Sequence, residues 1–495
     1  MIRNRFAPSP TGKVHVGSLR TALYNYLYAK KNQGVFLLRL EDTDQTRYEE
    51  GSVENLLNAL EVTGVVPDEG LCLCNGEINQ KGDCGPYIQS QRLEIYKEHI
   101  HKLLEDGKAY PCFCSKERLD SVREAQREKG ETPKYDGHCR ALDPQEAQER
   151  IANGESHVIR LKLPENKMIA FDDVVRGHIE MNTDDLDDQV LIKADGFPTY
   201  HFAVVVDDHH MGITHVIRGE EWLPSTPKHV YLYDCFGWEA PSFVHLSNIL
   251  NEDHKKLSKR QGDVAVGDFL AKGYLPEALV NFLALLGWSP EDEREIFSMD
   301  ELEEAFDLSR INKSGAVFDR AKLNWMNAQY IKALPVERLS SYITPYLVEL
   351  GYLKQEAVAE KQDWINKISE LLRDRLEYFG QVPKELKDIF EPDLDIKEEE
   401  ALELLKDSRV PILYNALVEK ISALDVVDAE AAQGILKSIQ KEHKEEKIKG
   451  KFLYMPARIV LTGAMHGPDL TLIMDVLGKD ELLNRLEKMK TLILK

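Results

Sequence analysis

The stretch PSPTGKVHVGS, residues 8–18, lies between two short apolar runs and decides how the first part of the chain folds. The apolar runs cover residues 2–7 and 35–40. Between the stretch and the second run, residues 18–32 repeat apolar side chains at the spacing of one helix face. Strand, loop, helix and strand in this order predict a βαβ unit, the start of a nucleotide-binding α/β domain.

The same stretch carries the residue types of a phosphate-binding loop. Gly12 and Gly17 permit close approach of the backbone to a ligand. We expect the helix that begins near Ser18 to present free N–H groups and a partial positive charge to phosphate. His15 can donate a hydrogen bond to phosphate oxygens as charge develops. A Pro/Gly turn with a chance histidine is the plainer alternative, and the whole string in this position favours the phosphate loop.

A second candidate for ATP chemistry is the cationic stretch KKLSKRQG, residues 255–262. It follows the strand predicted to end the nucleotide-binding domain, at residues 243–246. A mobile cationic loop at that place can close over a triphosphate and stabilise the leaving pyrophosphate. A solvated basic loop is the alternative for this stretch taken alone.

The rest of the chain divides into an insertion, a return to α/β pattern and a helical end. Residues 80–190 differ in character and predict helices at 92–106 and 116–129, with β-rich stretches at 156–163 and 168–176. The return predicts β runs at 190–193, 201–206 and 216–218, then a helix at 226–236. From about residue 271 onward the pattern is mainly helical.

Composition sets limits on the class of protein. The fractions of hydrophobic (43%) and charged (30%) residues are typical of a soluble globular chain, and no apolar run is long enough to span a membrane. The N-terminus has no apolar segment of a secretory signal, so we expect a cytoplasmic protein. The net charge of −22 means that any contact with RNA depends on local basic patches. Composition alone favours an enzyme that does not act on RNA.

Together the two strings resemble the signature motifs of class I aminoacyl-tRNA synthetases, as HVGS at 15–18 and KLSKR at 256–260. The chain is most similar to the bacterial glutamyl-tRNA synthetases, and the resemblance covers nearly all of it. The glutamine branch usually has Pro-Glu-Pro-Asn-Gly in the first loop, where this chain has PSPTG. The remaining matching strings are RFAPSPTG at 5–12, RLEDTD at 39–44, GFPTYH at 196–201, VVDDH at 205–209, HVIRGEEW at 215–222, AVFD at 316–319, WMN at 325–327 and KGKFLYMPAR at 449–458.

The resemblance implies an α/β fold, with a class I Rossmann-type catalytic domain, an α+β insertion and an all-α C-terminal anticodon-binding region. The catalytic domain would occupy residues 1–80 and 191–262, around an inserted acceptor-binding domain at 81–190. A stem-contact helical domain would follow at 263–330 and the anticodon-binding domain at 331–495. The implied substrates are ATP with Mg²⁺, L-glutamate and tRNA(Glu). Most members of the family act as single subunits, so a monomer is expected.

The resemblance also assigns residues to substrates. Guanidinium groups suit the γ-carboxylate of glutamate because they give paired, charge-assisted hydrogen bonds. Some relatives carry Asn where this chain has Val204, so any contact made by that Asn is missing or replaced. The glutamate-binding residues are Arg5, Ser9, Glu41, Tyr200 and Arg218. The ATP-binding residues are Pro8, Ser9, Gly12, His15, Gly17, Ser18, Glu221, Lys256, Ser258, Lys259 and Arg260, of which His15, Lys256 and Lys259 are catalytic.

A metal site is predicted in the insertion. Cys112, Cys114 and Cys139 supply three thiolates from two loops, which suits tetrahedral zinc. Tyr135 matches a family variant and is the predicted fourth ligand, whereas the adjacent His138 is the more ordinary one. Three buried free thiols are the alternative. A second group, Cys72, Cys74 and Cys84, receives no role from the resemblance.

Two rival functions remain beside tRNA glutamylation. One is the transfer of activated glutamate to another acceptor, and the other is a non-catalytic tRNA-binding paralogue. The long C-terminal region argues against the first, and the intact His15, Lys259 and Arg5 argue against the second. Lysines at 437–451 are either a solvated helix face or part of an RNA contact that includes residues 449–458. Whether tRNA(Gln) is also glutamylated stays open.

Overall fold

The computed structural model describes residues 1–257 and 263–494, and divides the chain into two compact units. The first unit comprises Met1–Ala271 with Pro276–Arg320, and the second comprises Lys272–Leu275 with the chain from Ala321 onward. The predicted ATP-binding residues Ser258, Lys259 and Arg260 lie outside the described residues. The predicted division into five domains stays a prediction.

The first unit has an α/β architecture. Its strands are β1 (Arg3–Phe6), β2 (Val35–Leu38), β3 (Glu69–Cys74), β4 (Glu77–Lys81), β5 (Ala109–Cys112), β6 (Val158–Leu161), β7 (Met168–Asp173), β8 (Gly177–Asn182), β9 (Val190–Ile192), β10 (His215–Gly219), β11 (Ser242–Leu246), β12 (Ile249–Leu250) and β13 (Ala316–Val317). Its helices are α1 (Val16–Lys31), α2 (Ser52–Val62), α3 (Leu93–Glu105), α4 (Lys116–Glu128), α5 (Pro144–Ala152), α6 (Tyr200–His210), α7 (Thr226–Phe236), α8 (Val266–Ala271), α9 (Pro276–Ala284) and α10 (Met299–Ala305).

The main sheet has the strand order β4-β3-β2-β1-β10-β11-β7-β8. Neighbouring strands from β3 to β7 in this order are parallel, and β4 and β8 are antiparallel edge strands. Strands β2 and β3 follow β1 on one side, and β10 pairs with β1 on the other side, so the strand order reverses at β1. Sheets of this kind bind ligands where the order reverses, outside the carboxyl ends of the strands. The carboxyl ends of β1 and β10 therefore mark the expected site.

The βαβ unit predicted from the opening stretch is present as β1, α1 and β2. Leu19, Leu23 and Leu27 are spaced by one helical turn on α1 and are fully buried. Helix α1 begins at Val16, two residues before the predicted start, because His15 caps it: the His15 Nδ1 accepts from the Gly17 amide at 3.0 Å.

One secondary-structure prediction is wrong. Residues 201–206 were expected to form a strand and instead belong to helix α6. Every residue from Phe202 to Asp208 is buried, so the helix shows no alternation of apolar and polar faces. Periodicity cannot distinguish such a helix from a buried strand, and the run of three valines favours the strand.

The predicted insertion contains two different structures. Strands β5, β6 and β9 form a separate three-stranded sheet. The hairpin of β7 and β8 instead extends the main sheet, since Asp173 pairs with Phe243 of β11. The hairpin therefore brings residues of this segment next to the strands that border the ligand edge.

The second unit is helical throughout its regular structure. Its buried core joins helices from α15 to α19, with Leu417, Leu453 and Leu482 fully buried. The described residues include no helix with both the length and the apolar character needed to cross a bilayer. The helices are α11 (Arg320–Ala333, which begins at the unit boundary), α12 (Val336–Glu349), α13 (Gln362–Arg373), α14 (Val382–Phe390), α15 (Glu399–Leu405), α16 (Val410–Ser422), α17 (Ala429–Glu442), α18 (Lys451–Thr462) and α19 (Leu470–Ile493).

Candidate active site

A cavity of about 850 Å³ lies at the carboxyl ends of β1 and β10. Gly12 lines a smaller neighbouring cavity of about 220 Å³ instead. Sequence-predicted residues from both halves of the sheet thus meet at one place. Those that line the larger cavity are Arg5, Pro8, Ser9, His15, Gly17, Ser18, Glu41, Tyr200, Arg218, Glu221 and Lys256.

The loop before α1 differs from its predicted form in one respect. The amide of Val16 donates to the carbonyl of Val264, and the Ser18 amide donates to the carbonyl of His15, both at 2.9 Å. The first amides of the helix are thus taken by protein acceptors and are not free for phosphate. Because Nδ1 of His15 accepts from Gly17, the proton of the neutral ring lies on Nε2.

Arg5, at the end of β1, is held by a carboxylate. Its Nε donates to both oxygens of Asp208, at 3.0 and 3.1 Å, and both side chains are almost completely buried. Burial opposes the charge of Arg5, but the Asp208 carboxylate outweighs it and raises the pKa of Arg5. Among the described residues, Nη1 and Nη2 of Arg5 have no hydrogen-bond partner, so both can face a ligand.

A second guanidinium shares the same carboxylate. Arg39 donates from Nη1 to Asp208 at 2.8 Å and from Nη2 to Glu41 at 3.3 Å. Burial raises the pKa of Glu41 to about 7, although Arg39 and Arg5 both lower it. Glu41 lies at the cavity wall and changes charge near neutral pH.

Arg218, at the end of β10, is held by neutral groups. Its Nε donates to Nε2 of His245 at 3.1 Å, its Nη1 to the Tyr200 hydroxyl at 3.0 Å, and its Nη2 to the Thr226 hydroxyl at 2.8 Å. Nδ1 of His229 accepts from both terminal nitrogens at 3.3 Å. Each of the three nitrogens therefore has a protein partner, and none of these partners is a carboxylate.

The histidines beneath Arg218 are kept neutral. Since a guanidinium only donates, Nδ1 of His229 accepts and its proton lies on Nε2, which faces Nδ1 of His201 at 3.0 Å. Burial, helped by Arg218, lowers the pKa of His229 well below its usual value. Burial also lowers the pKa of His201 to about 4.

Sequence reasoning missed the residues that hold Arg5 and Arg218, which are Asp208, Thr226, His229 and His245. It also missed Arg39, which shares Asp208 with Arg5. Asp207 and Asp208 did give a readable signal, because two adjacent acids follow a run of valines that has to be buried. His229, His245 and Thr226 gave no such signal in the sequence. Val204 is buried among apolar side chains of α6 rather than at the cavity wall.

The predicted metal ligands lie together in the insertion. The sulfur atoms of Cys112, Cys114 and Cys139 lie within 4.8 Å of one another, with 3.6 Å between Cys114 and Cys139. Tetrahedral zinc with bonds of about 2.3 Å separates its sulfur ligands by about 3.8 Å. The Tyr135 hydroxyl lies 3.3 Å from the Cys112 sulfur and 3.8 Å from the Cys114 sulfur, whereas His138 is exposed. The four groups fit a tetrahedral ion, and their geometry favours Tyr135 over His138.

Two family matches cover most of the chain. Residues 1–325 match the catalytic domain of the class I tRNA synthetases for glutamate and glutamine (E and Q). Residues 336–490 match an anticodon-binding domain family. The α/β fold and the cavity at the switch point agree with the first match, so the class is that of class I aminoacyl-tRNA synthetases, enzymes that use ATP and Mg²⁺.

Full-length relatives narrow the class. The chain is 58% identical to a glutamate–tRNA ligase from Alkaliphilus metalliredigens, over 99% of both chains, and 58% identical to one from Clostridioides difficile, over 100% of both. A crystal structure of a glutamate tRNA ligase from Elizabethkingia meningosepticum, in complex with its amino acid, superposes with a TM-score of 0.88 at 38% identity, covering 99% of each chain. The chain belongs to the glutamate–tRNA ligase family.

Proposed function

We propose that the protein joins L-glutamate to tRNA(Glu) through a glutamyl-adenylate, with release of AMP and diphosphate. The observation that carries this proposal is the pair of arginines at the switch point. Arg5 and Arg218 come from adjacent strands and border one cavity with the loop before α1 and Lys256. Such a cavity accepts a dicarboxylic amino acid beside a nucleotide.

The glutamate end of the cavity is assigned by charge. The terminal nitrogens of Arg5 would receive the γ-carboxylate in charge-assisted hydrogen bonds, and Arg218, whose nitrogens have protein partners, would attract it through its positive charge. The Tyr200 hydroxyl and Ser9 add neutral hydrogen-bonding groups at the wall. Glu41, in its carboxylate form, would accept from the α-ammonium. The α-carboxylate is then directed toward the loop before α1.

The ATP end is assigned to the loop before α1 and the stretch around Lys256. The glutamate α-carboxylate attacks the α-phosphorus of ATP, and pyrophosphate leaves in line. His15 would donate from Nε2 to a phosphate oxygen, and Lys256 with Lys259 would stabilise the charge on the leaving group. Contacts from Pro8, Gly12, Gly17, Ser18, Glu221, Ser258 and Arg260 complete the proposed ATP site. Mg²⁺, held mainly by the phosphates and water, would neutralise developing charge.

The second step transfers glutamate to the RNA. The 3′-terminal ribose hydroxyl of tRNA(Glu) would attack the adenylate carbonyl and release AMP. The match of residues 336–490 to an anticodon-binding domain supports tRNA as the acceptor. Within that region, residues 449–458 include cations at the start of α18 and are the proposed RNA contact.

We also propose that Cys112, Cys114, Tyr135 and Cys139 hold one zinc ion. Their mutual distances support a closed tetrahedral set, which is typical of a structural site without an open position for chemistry. Zinc would tie β5 to the loop that carries Cys139 and so stabilise the insertion.

The deciding experiment measures charging of radiolabelled glutamate onto purified tRNA(Glu). Pyrophosphate exchange with and without tRNA reports on the first step, and uncharged tRNA(Gln) serves as a second acceptor. Formation of glutamyl-tRNA(Glu) is the expected result. Adenylate formation without transfer to either tRNA would favour another acceptor, and the absence of both reactions would favour a non-catalytic paralogue. Sizing by light scattering would test the proposed single subunit, and cell fractionation would test the proposed cytoplasmic location.

A further inference from the structure

A buried chain of three groups lies behind the cavity wall. The carboxylate of Asp173, at the end of β7, lies 2.6 Å from Nδ1 of His245 on β11, and both side chains are fully buried. Nε2 of His245 in turn lies 3.1 Å from Nε of Arg218. Asp173 and His245 do not line the cavity, so they act on a substrate through residues that do, and Arg218 is the cavity residue that His245 contacts.

The protons in this chain have one consistent arrangement. A guanidinium only donates, so Nε2 of His245 accepts from Arg218 and the imidazole proton lies on Nδ1. That proton is donated to Asp173. Burial lowers the pKa of His245, which agrees with a neutral ring. The carboxylate thereby fixes the tautomer and the ring orientation, as in buried carboxylate–histidine pairs that orient a ligand-binding group.

We propose that Asp173 and His245 are positioning residues that fix the Arg218 guanidinium for the substrate carboxylate. The imidazole also serves as a spacer. A carboxylate placed directly on Arg218 would offset its charge at the cavity, whereas a carboxylate one ring away leaves more of the attraction to an anion. The inference rests on the proposed function, and it adds which residues orient the Arg218 guanidinium in the glutamate pocket.

The same hairpin supplies a matched control. Asp172 contacts His178 at 2.7 Å, but both side chains are exposed, because successive side chains of β7 point to opposite faces of the sheet. Residues Asp172 and Asp173 thus form two carboxylate–imidazole pairs, of which only the buried one reaches Arg218.

The test compares two variants of His245 by their glutamate KM in tRNA charging at saturating ATP and tRNA. The side-chain oxygen of Gln can stand near Nε2 of the ring, but that of Asn cannot reach it. We therefore expect His245→Asn to raise the glutamate KM by about 10–100-fold, the loss of one hydrogen bond to a charged group. His245→Gln should recover most of this loss. The ATP KM and kcat should change by less than about threefold in both variants.

The controls separate positioning from folding. Asp172→Asn and His178→Gln should leave all kinetic constants unchanged, and Asp173→Asn should raise the glutamate KM in the same direction as His245→Asn. Asp173 also accepts from the amides of Val175 and Arg176, so the His245 variants carry the test and their thermal unfolding is recorded.

Two results would overturn the inference. One is a glutamate KM for His245→Asn within twofold of the unaltered enzyme, and the other is an equal rise in the KM of ATP. Either result would leave the proposed function intact, provided that the unaltered enzyme charges tRNA. An unaltered enzyme that charges no tRNA would overturn the proposed function, and with it the positioning role of Asp173 and His245.

Discussion

Arg5 and Arg218 lie on adjacent strands and border the same cavity, but their surroundings differ. Arg5 shares the buried carboxylate of Asp208 with Arg39, whereas Arg218 is surrounded by His245, Thr226 and other neutral acceptors. A guanidinium can thus be fixed either by an adjacent opposite charge or by neutral acceptors. In the first arrangement, loss of the arginine is expected to weaken both ligand binding and the stability of the fold. In the second arrangement, loss of the arginine is expected to weaken mainly ligand binding.

The largest effect is expected from Arg5→Ala. This change removes a proposed ligand for the γ-carboxylate and leaves the buried Asp208 paired with Arg39 alone. We expect kcat/KM for glutamate to fall by about 10²–10³-fold and the free energy of unfolding to fall by about 3 kcal/mol. Steady-state charging and urea unfolding measure the two quantities. Unchanged glutamate kinetics would show that the pocket is assigned wrongly.

Arg218→Gln sharpens the comparison with a smaller expected effect. Its partners are neutral and lose no charge pair, so we expect the glutamate KM to rise by about 10–100-fold and the free energy of unfolding to fall by about 1–2 kcal/mol, less than for Arg5→Ala. The same two measurements apply. A loss of stability as large as that of Arg5→Ala would remove the distinction between the two arginines.

The protonation of Glu41 is expected to make glutamate binding on the Arg5 side of the pocket depend on pH. With a pKa of about 7, the Glu41 carboxyl is neutral below that pH and is a carboxylate above it, the form proposed to accept from the α-ammonium. We expect kcat/KM for glutamate to rise about tenfold between pH 6 and 8, and Glu41→Gln to abolish the rise. Folded Glu41 keeps its proton to a higher pH than it does unfolded. Its contribution to stability is therefore present below about pH 4 and is lost as pH rises through 7.

The smallest catalytic effect is expected at the cysteine cluster, whose residues do not line the cavity. Tyr135→Phe removes one proposed zinc ligand and should lower zinc affinity about tenfold or more, with kcat/KM for glutamate within about twofold. Elemental analysis of the purified protein after dialysis against a chelator measures the metal. His138→Ala is the matched control and should retain zinc. Equal zinc content in both variants would contradict the role of Tyr135.

The sequence predicts the local parts of this molecule better than the long-range ones. The βαβ unit could be predicted because its helix has one apolar face and its loop contains Gly12, His15 and Gly17. Helix α6 could not, because it is buried on all sides. The places of Arg5 and Arg218 follow from the strand ends and from the family resemblance.

The sequence indicated that Asp207 and Asp208 are buried acids, but it did not indicate which side chains they contact, and it gave no signal for the partners of Arg218. Asp208 contacts Arg5 from a helix about 200 residues further along the chain, and Asp173, in a hairpin within the predicted insertion, is linked to Arg218 through His245. Local spacing carries no information on such contacts, which depend on strand order. The proposed zinc ligands were easier to predict, since Cys112 and Cys114 form a recognisable pair and Tyr135 lies four residues before Cys139.

The pairing of β1 with β10 also constrains how the protein is made. Asn4 is opposite His215 in the sheet, so β1 cannot pair with β10 until the ribosome has added the intervening residues. At roughly 5–20 residues per second, that interval lasts about 10–40 s. Until then the nascent chain has no pocket for either small substrate, and one edge of β1 stays open to pairing with other chains.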